Sequence, residues 1–256
     1  MGQSIKEAAE KCAVLIRNAE RIVLFSGAGM STSAGIPDFR GPQGLYSRAD
    51  IENPELIFDI NYFRRDASLF YRFHKEFLTA LKDIHPTFAH RFFSKLEEQK
   101  KLLGIVTQNI DSLHQAAGSK TVLEIHGGIW DNFCTVCREH HSQEETTTMV
   151  LSLDIATCKK CGGVIKPDVV FFGEPVKHLE ACGELIRSSD LLFVLGSSLV
   201  VTPAALLPSL AGGHIVVVNK GNVSQNFLPV NRIDQFVNDD IDVFFKAVND
   251  ALGIIH

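Results

Sequence analysis

Apolar residues along this chain gather into short continuous runs separated by amphipathic stretches. The runs cover residues 22–25, 102–107, 121–125, 191–195 and 215–218 and are rich in β-branched and aliphatic side chains. Uninterrupted runs of this length suit strands buried on both faces, as in a parallel sheet. Between them lie patterns of helical period. Residues 4–19 put Ile5, Ala8, Ala9, Cys12, Leu15 and Ile16 on one face. Helices are also predicted over 86–99, where Pro86 takes a favoured first-turn place, and over 179–188, 203–211 and 242–252. Strand and helix in alternation predict an α/β fold built on a doubly wound parallel sheet.

Two segments interrupt the alternation. Residues 41–81 are aromatic, charged and helical in pattern, and residues 128–164 hold four cysteines with little apolar periodicity. Both read as insertions that together form a smaller lobe, one helical and one metal-binding. The larger lobe is then expected over 1–40, 82–127 and 165–256, the whole chain forming a single domain.

Charge narrows the class of partner. With 256 residues and a formal net charge of −5, the chain offers no electrostatic case for nucleic acid. No apolar run reaches the ~20 residues of a membrane span. The opening Met1-Gly2-Gln3-Ser4-Ile5-Lys6 has no apolar core of a leader, and Lys6 stands where a myristoylation signal takes Ser or Thr. The expectation is a cytoplasmic protein with no membrane and no direct nucleic-acid partner.

Of six cysteines, Cys134, Cys137, Cys158 and Cys161 are spaced C-x2-C-x20-C-x2-C. Two such hairpins can present four thiolates tetrahedrally to one zinc ion, and four sulfurs leave no position for an activated water. The reading is one structural zinc, with a redox dithiol pair as the alternative. Cys12 and Cys182 fall in helical stretches and read as small core residues. His140 and His141 read as solvated loop histidines.

Polar groups follow the apolar runs. After residues 22–25 comes Gly27-Ala28-Gly29-Met30-Ser31-Thr32, a glycine turn that lets backbone N–H groups approach a diphosphate. Thr32 occupies the third glycine position of the usual dinucleotide fingerprint, which weakens a plain dehydrogenase reading. The tail Gly35-Ile36-Pro37-Asp38-Phe39-Arg40 is unlike a loop running straight into its helix. The second run ends in Gln108, Asn109, Ile110 and Asp111, which read either as ribose or carboxamide contacts or as a helix cap. His126 beside Gly127 and Gly128 reads either as a general base or as a structural histidine. Gly196, Ser197 and Ser198 end the fourth run, and Asn219 and Lys220 the fifth.

In this order the motifs resemble those of the sirtuins, the NAD-dependent protein deacylases. The matching elements are Gly27-Ala28-Gly29-Met30-Ser31, Gly35 to Arg40, Thr107-Gln108-Asn109-Ile110-Asp111, His126-Gly127, the two cysteine pairs, Pro167-Asp168-Val169-Val170-Phe171-Phe172-Gly173-Glu174, and Gly196-Ser197-Ser198. They span nearly the whole chain. The resemblance implies a Rossmann-like domain carrying a zinc lobe, with NAD consumed as co-substrate and an acetylated protein segment as the partner.

The resemblance also implies roles. Gly27, Ala28, Gly29 and Thr32 approach the diphosphate with Arg40 nearby, Phe39 shields the reacting ribose carbon, and Ile36 and Asp38 hold the nicotinamide carboxamide. Gln108, Asn109, Ile110 and Asp111 attend the nicotinamide ribose. Gly196, Ser197, Ser198 and Asn219 hold the other end of NAD, with Asp240, Ile241 and Asp242 beside the adenine. His126 takes a proton through the ribose hydroxyls after the acetyl oxygen attacks the ribose carbon. The catalytic set is thus His126, Asn109 and Asp111. Phe39, His126, Val170, Phe172, Gly173, Glu174, Val200 and Val201 contact the acyl-lysine and its peptide, which adds as a strand.

Sirtuins that prefer acidic acyl groups share a Tyr-x-x-Arg pair. Here Tyr71 is matched but His74 stands in the arginine's place, so acetyl is expected over succinyl. The alternatives in the same chemistry are mono-ADP-ribosyl transfer to protein and a non-enzymatic, zinc-stabilised NAD-binding module.

Overall fold

The computed structural model describes residues 4–38, 44–45 and 51–255. In chain order the strands are β1 (Ile22–Ser26), β2 (Leu102–Thr107), β3 (Val122–Glu124), β4 (Gly127–Cys134), β5 (His140–Ser142), β6 (Ile165–Val169), β7 (Leu191–Leu195), β8 (His214–Val218) and β9 (Ile233–Val237). The helices are α1 (Ile5–Asn18), α2 (Ile60–Arg65), α3 (Ser68–Leu81), α4 (Phe88–Glu98), α5 (Leu113–Ala116), α6 (Gln143–Ser152), α7 (Leu179–Arg187) and α8 (Ile241–Leu252). The chain divides into two units: residues 1–38, 85–125 and 178–256, and residues 39–84 and 126–177. Segment 165–177, expected with the larger lobe, clusters with the second unit.

The first unit is a six-stranded parallel sheet in the order β3-β2-β1-β7-β8-β9. Chain direction across the sheet reverses at β1, between β2 and β7. That topological switch point is where doubly wound folds bind ligands, beyond the carboxyl ends of the strands. Every residue of β1 and β7 is buried. Ile22, Leu24, Phe193 and Leu195 pack with Cys12 and Ile16 of α1, Phe92 and Phe93 of α4, and Phe245 of α8. The Phe93, Phe193 and Phe245 rings meet at 5.0 to 5.7 Å in near-perpendicular pairs, an arrangement that adds quadrupole attraction to area burial. Alternate residues Val23, Phe25, Leu192 and Val194 are buried too, so both faces of the sheet are covered.

Four local features depart from expectation. The edge strand β9 is not announced by its sequence, Ile233-Asp234-Gln235-Phe236-Val237, in which two adjacent polar residues break both an apolar run and an alternation. The predicted helix at 203–211 is a 3-10 segment, Ala204–Leu210, because Pro208 inside it has no N–H for an α-helical bond. The polar stretch 143–148 belongs to helix α6, capped by the Ser142 side chain on Glu145 N–H. The metal-binding insertion is also more ordered than its weak periodicity implies.

In the second unit β5-β4-β6 form an antiparallel sheet. Phe171 anchors the chain after β6 in a cluster with Phe58, Phe63 and Phe70, at ring distances of 5.5, 5.4 and 5.1 Å. The buried Tyr71 hydroxyl donates to the Ile165 carbonyl, tying α3 to β6.

Candidate functional site

Beyond β1 the chain does not run directly into an α-helix; it makes two short 3-10 turns, Ala28–Met30 and Thr32–Ala34. The glycines here serve packing. Gly27 N–H donates to Leu195 O and Gly29 N–H to Gly196 O, both at 2.9 Å. A Cβ on Gly29 would stand 2.7 Å from Gly196 Cα, and one on Gly196 would stand 2.3 Å from Met30 N. The two loops at the switch point therefore touch backbone to backbone. The amides of Ala28, Thr32 and Ser33 have no acceptor among the described residues. Those three N–H groups, unlike the engaged ones of Gly27 and Gly29, are left over by the fold's own hydrogen bonds among the described residues.

The carboxyl end of β2 faces this loop. Ser31, fully buried, donates its hydroxyl to Asp111 Oδ2 at 2.7 Å and accepts from Asn109 Nδ2 at 3.2 Å. Asp111 also accepts from Leu113 N–H at 2.9 Å, capping α5. Burial pushes the Asp111 carboxyl above its ordinary range, against the hydrogen bonds from Leu113 and Ser31 that pull it down. One Asp111 oxygen thus serves the start of α5, as the helix-cap reading of this motif expects, and the other is held by Ser31. In the sequence Ser31 is a member of the loop motif with no role of its own; only the fold brings it to Asn109 and Asp111.

Gln108 Nε2 donates to Ser197 Oγ at 2.8 Å, joining the ends of β2 and β7. Buried Asn219 follows β8, its side chain donating to Gly221 O at 3.3 Å. Asp240 caps α8 through Val243 N–H at 3.0 Å and accepts from Ser33 Oγ at 3.3 Å. The Asp242 carboxylate is taken up elsewhere, accepting from Phe88 and Ala89 N–H at 2.9 Å each in the first turn of α4. Ile36 is buried and Asp38 half-buried. Phe39 and Arg40 lie outside the described residues.

In the second unit, half-buried His126 precedes β4 and its carbonyl accepts from Val170 N–H at 2.8 Å. Gly127 makes this possible: its φ is +68°, and a Cβ there would overlap Asp168 O at 1.9 Å. Phe172 has both backbone groups engaged, N–H with Phe58 O at 2.7 Å and O with Ile60 N–H at 3.2 Å. Glu174 is a clip, accepting from Phe171 N–H at 2.9 Å and pairing with Lys166 Nζ at 2.8 Å. That ammonium also lies 4.0 Å above the Phe171 ring. The Phe172 side chain remains 42% exposed, beside exposed Gly173. In the first unit Val200 is 54% exposed and Val201 half-buried.

The four sulfurs of Cys134, Cys137, Cys158 and Cys161 lie within 4.8 Å of one another. Cys134 to Cys161 is 3.4 Å and Cys137 to Cys158 is 3.8 Å. Tetrahedral zinc with ~2.3 Å bonds requires sulfurs roughly 3.8 Å apart, so the set fits that ion. Val136 and Cys137 N–H groups point at Cys134 Sγ, and Gly163 N–H at Cys161 Sγ, as donors to thiolates do. With four protein ligands the centre is structural.

A model of the Sir2 family matches residues 27–203. An NAD-dependent protein deacetylase of Thermotoga maritima is 42% identical over 245 residues, covering 94% of this chain and 96% of its own. A solved Sir2 structure with a deacetylated p53 peptide and 3′-O-acetyl-ADP-ribose superposes with a TM-score of 0.87 at 36% identity, covering 96% of this chain and 99% of that one. Another, of Sir2 with a p53 peptide and NAD+, gives 0.84 at 37% identity over 96% and 98% of the two chains. The switch-point loop, the carboxyl end of β2, the His126 turn and the cysteine quartet all fall within the stretch matched by the family model, and the chain belongs to the Sir2 family.

Proposed function

We propose that this chain is an NAD-dependent protein-lysine deacetylase, which moves the acetyl group of an acetylated lysine onto ADP-ribose and releases nicotinamide and O-acetyl-ADP-ribose. The observation that carries the reading is the Ser31–Asn109–Asp111 cluster beside the amides of Ala28, Thr32 and Ser33, which have no acceptor among the described residues. Holding an anionic diphosphate needs the amides alone, and a buried carboxylate nearby opposes it. That carboxylate is useful where positive charge develops, as at a ribose carbon losing nicotinamide. Its charge is poorly compensated by the protein, so it gains most when such charge appears.

NAD supplies the electrophilic ribose carbon and its leaving group. Ala28 and Thr32 receive the diphosphate, Ile36 and Asp38 the carboxamide, and Gln108, Asn109 and Ile110 the adjoining ribose. Gly196, Ser197, Ser198 and Asn219 take the far end, with Asp240 and Ile241 beside the adenine. His126 is the general base. Val170 O and Gly173 N–H, which have no partner among the described residues, offer the peptide its backbone pairing, aided by the Phe172, Val200 and Val201 side chains. The activity belongs in the cytoplasm, where the thiolate quartet stays reduced.

Ser31→Ala removes at once the donor to Asp111 and the acceptor of Asn109. The expected result is a fall in kcat of about ten- to a hundredfold from lost positioning, with the fold retained. Steady-state kinetics beside a melting curve checks it; unchanged kcat would remove Ser31 from the account.

Acyl choice follows from His74. The ring is 2% exposed, burial lowers its pKa to about 4, and its Nε2 has no partner among the described residues. At neutral pH it carries no charge to hold a succinyl carboxylate. One peptide bearing acetyl-lysine, succinyl-lysine or unmodified lysine tests the proposal: nicotinamide release should be fastest with acetyl and absent without acylation. Faster succinyl turnover, or release that ignores acylation, would contradict it.

A further inference from the structure

Behind the carboxyl end of β2, in the first unit, lie two histidines that no step above uses. His90 is 0% and His114 1% exposed, and their ring centroids are 4.7 Å apart with planes tilted by 55°. Their hydrogen bonds assign the tautomer of each. The Thr87 backbone N–H, which can only donate, points at His90 Nδ1 at 3.3 Å, and the Thr87 hydroxyl stands 2.9 Å from the same atom. Nδ1 of His90 is therefore bare and its proton is on Nε2. Ser26 donates its hydroxyl to Thr107 Oγ1 at 2.9 Å, so it accepts from His114 Nε2, also at 2.9 Å. His114 is thus protonated on Nε2 as well, and its Nδ1 is bare.

The two ring nitrogens left without a partner among the described residues are His90 Nε2 and His114 Nδ1. One is a donor and the other an acceptor, on adjacent rings. Burial lowers the pKa of both, His90 to about 3 with a further push from Arg91, and His114 well below its ordinary value with a further push from His90. A charge on either ring would lose its hydration in this buried place, and charges on both would repel each other.

The chain of contacts runs onward to the site. Thr107 Oγ1 accepts from Asn109 N–H at 3.1 Å, and the Asn109 side chain bonds Ser31, which bonds Asp111. We infer that His90 and His114 form a neutral buried imidazole pair, both protonated on Nε2, that positions Asn109 through the hydroxyls of Ser26 and Thr107. The pair touches no reacting atom; both histidines are positioning residues. Only the kinetic part of the inference rests on the deacetylase reading.

Side-chain 15N NMR of the intact protein reads the tautomers directly. Both rings should show the Nε2–H form and no titration between about pH 5 and 8, the range in which an ordinary histidine changes charge. A ring protonated on Nδ1, or one that titrates there, would overturn the pair. Kinetics tests the positioning. His114→Gln keeps an N–H donor near the place of Nε2 and should hold kcat within about threefold, whereas His114→Ala should lose about tenfold or more, with KM for the peptide unchanged. Equal losses in both variants, or a loss confined to KM, would overturn the role. If the native chain released no nicotinamide from any acylated peptide, the deacetylase reading would fail while the tautomer measurement still decided the pair.

Discussion

His126→Ala is expected to lower deacetylation by about 10²- to 10⁴-fold, the usual contribution of a general base, while NAD affinity stays within a few-fold. The backbone explains why the loss should be chemical rather than structural. The turn at His126 is held by its carbonyl on Val170 N–H and by the close approach of Gly127 to Asp168 O, and alanine preserves both. The groups assigned to NAD are elsewhere in the chain, at 28–38, 108–111, 196–198, 219 and 240–241. Calorimetric NAD titration beside single-turnover rates separates the two quantities. A loss of NAD binding equal to the loss of rate would refute the base role.

Cys134→Ala is expected to abolish zinc binding and unfold the metal-binding part of the second unit. Zinc association with such thiolate sets is worth roughly 10–16 kcal/mol in isolated peptides. The module has little else to offset the entropy of ordering: strand β5 has 3 residues, and α6 buries only Thr146 and Val150. Cys134 is also the buried end of β4, paired across to Ile165. Its loss leaves three thiolates around a dication and an unfilled place in the sheet. Metal content should fall from one per chain to none, with hydrogen exchange rising through 127–165. Retention of one zinc per chain would contradict the assignment.

The parts legible in the sequence are those whose physics is local. Strands β1, β2, β7 and β8 are buried on both faces, so their residues form unbroken apolar runs. The cysteine spacing carries its own geometry, and the sulfurs converge as it requires. What escaped depends on contacts distant in sequence. Strand β9 is an edge strand, where polar residues such as Asp234 are tolerated and periodicity fades. Gly29 announces a turn but not that Gly196 lies against it. Asp242 reads as a ligand beside the adenine, yet its carboxylate caps α4, whose first turn is 153 and 154 residues away along the chain. In the sequence Ser31 is a plain member of a loop and His90 of a predicted helix, and nothing marks His114; their meaning is in the hydroxyls and nitrogens that folding places beside them.

The central claim is that NAD is consumed in removing an acyl group. Mass spectrometry of the products from NAD and one acetyl-lysine peptide tests it most directly. The account predicts free lysine on the peptide, nicotinamide and O-acetyl-ADP-ribose in equal amounts. A peptide that kept its acetyl group and gained ADP-ribose, or NAD returned intact, would contradict it.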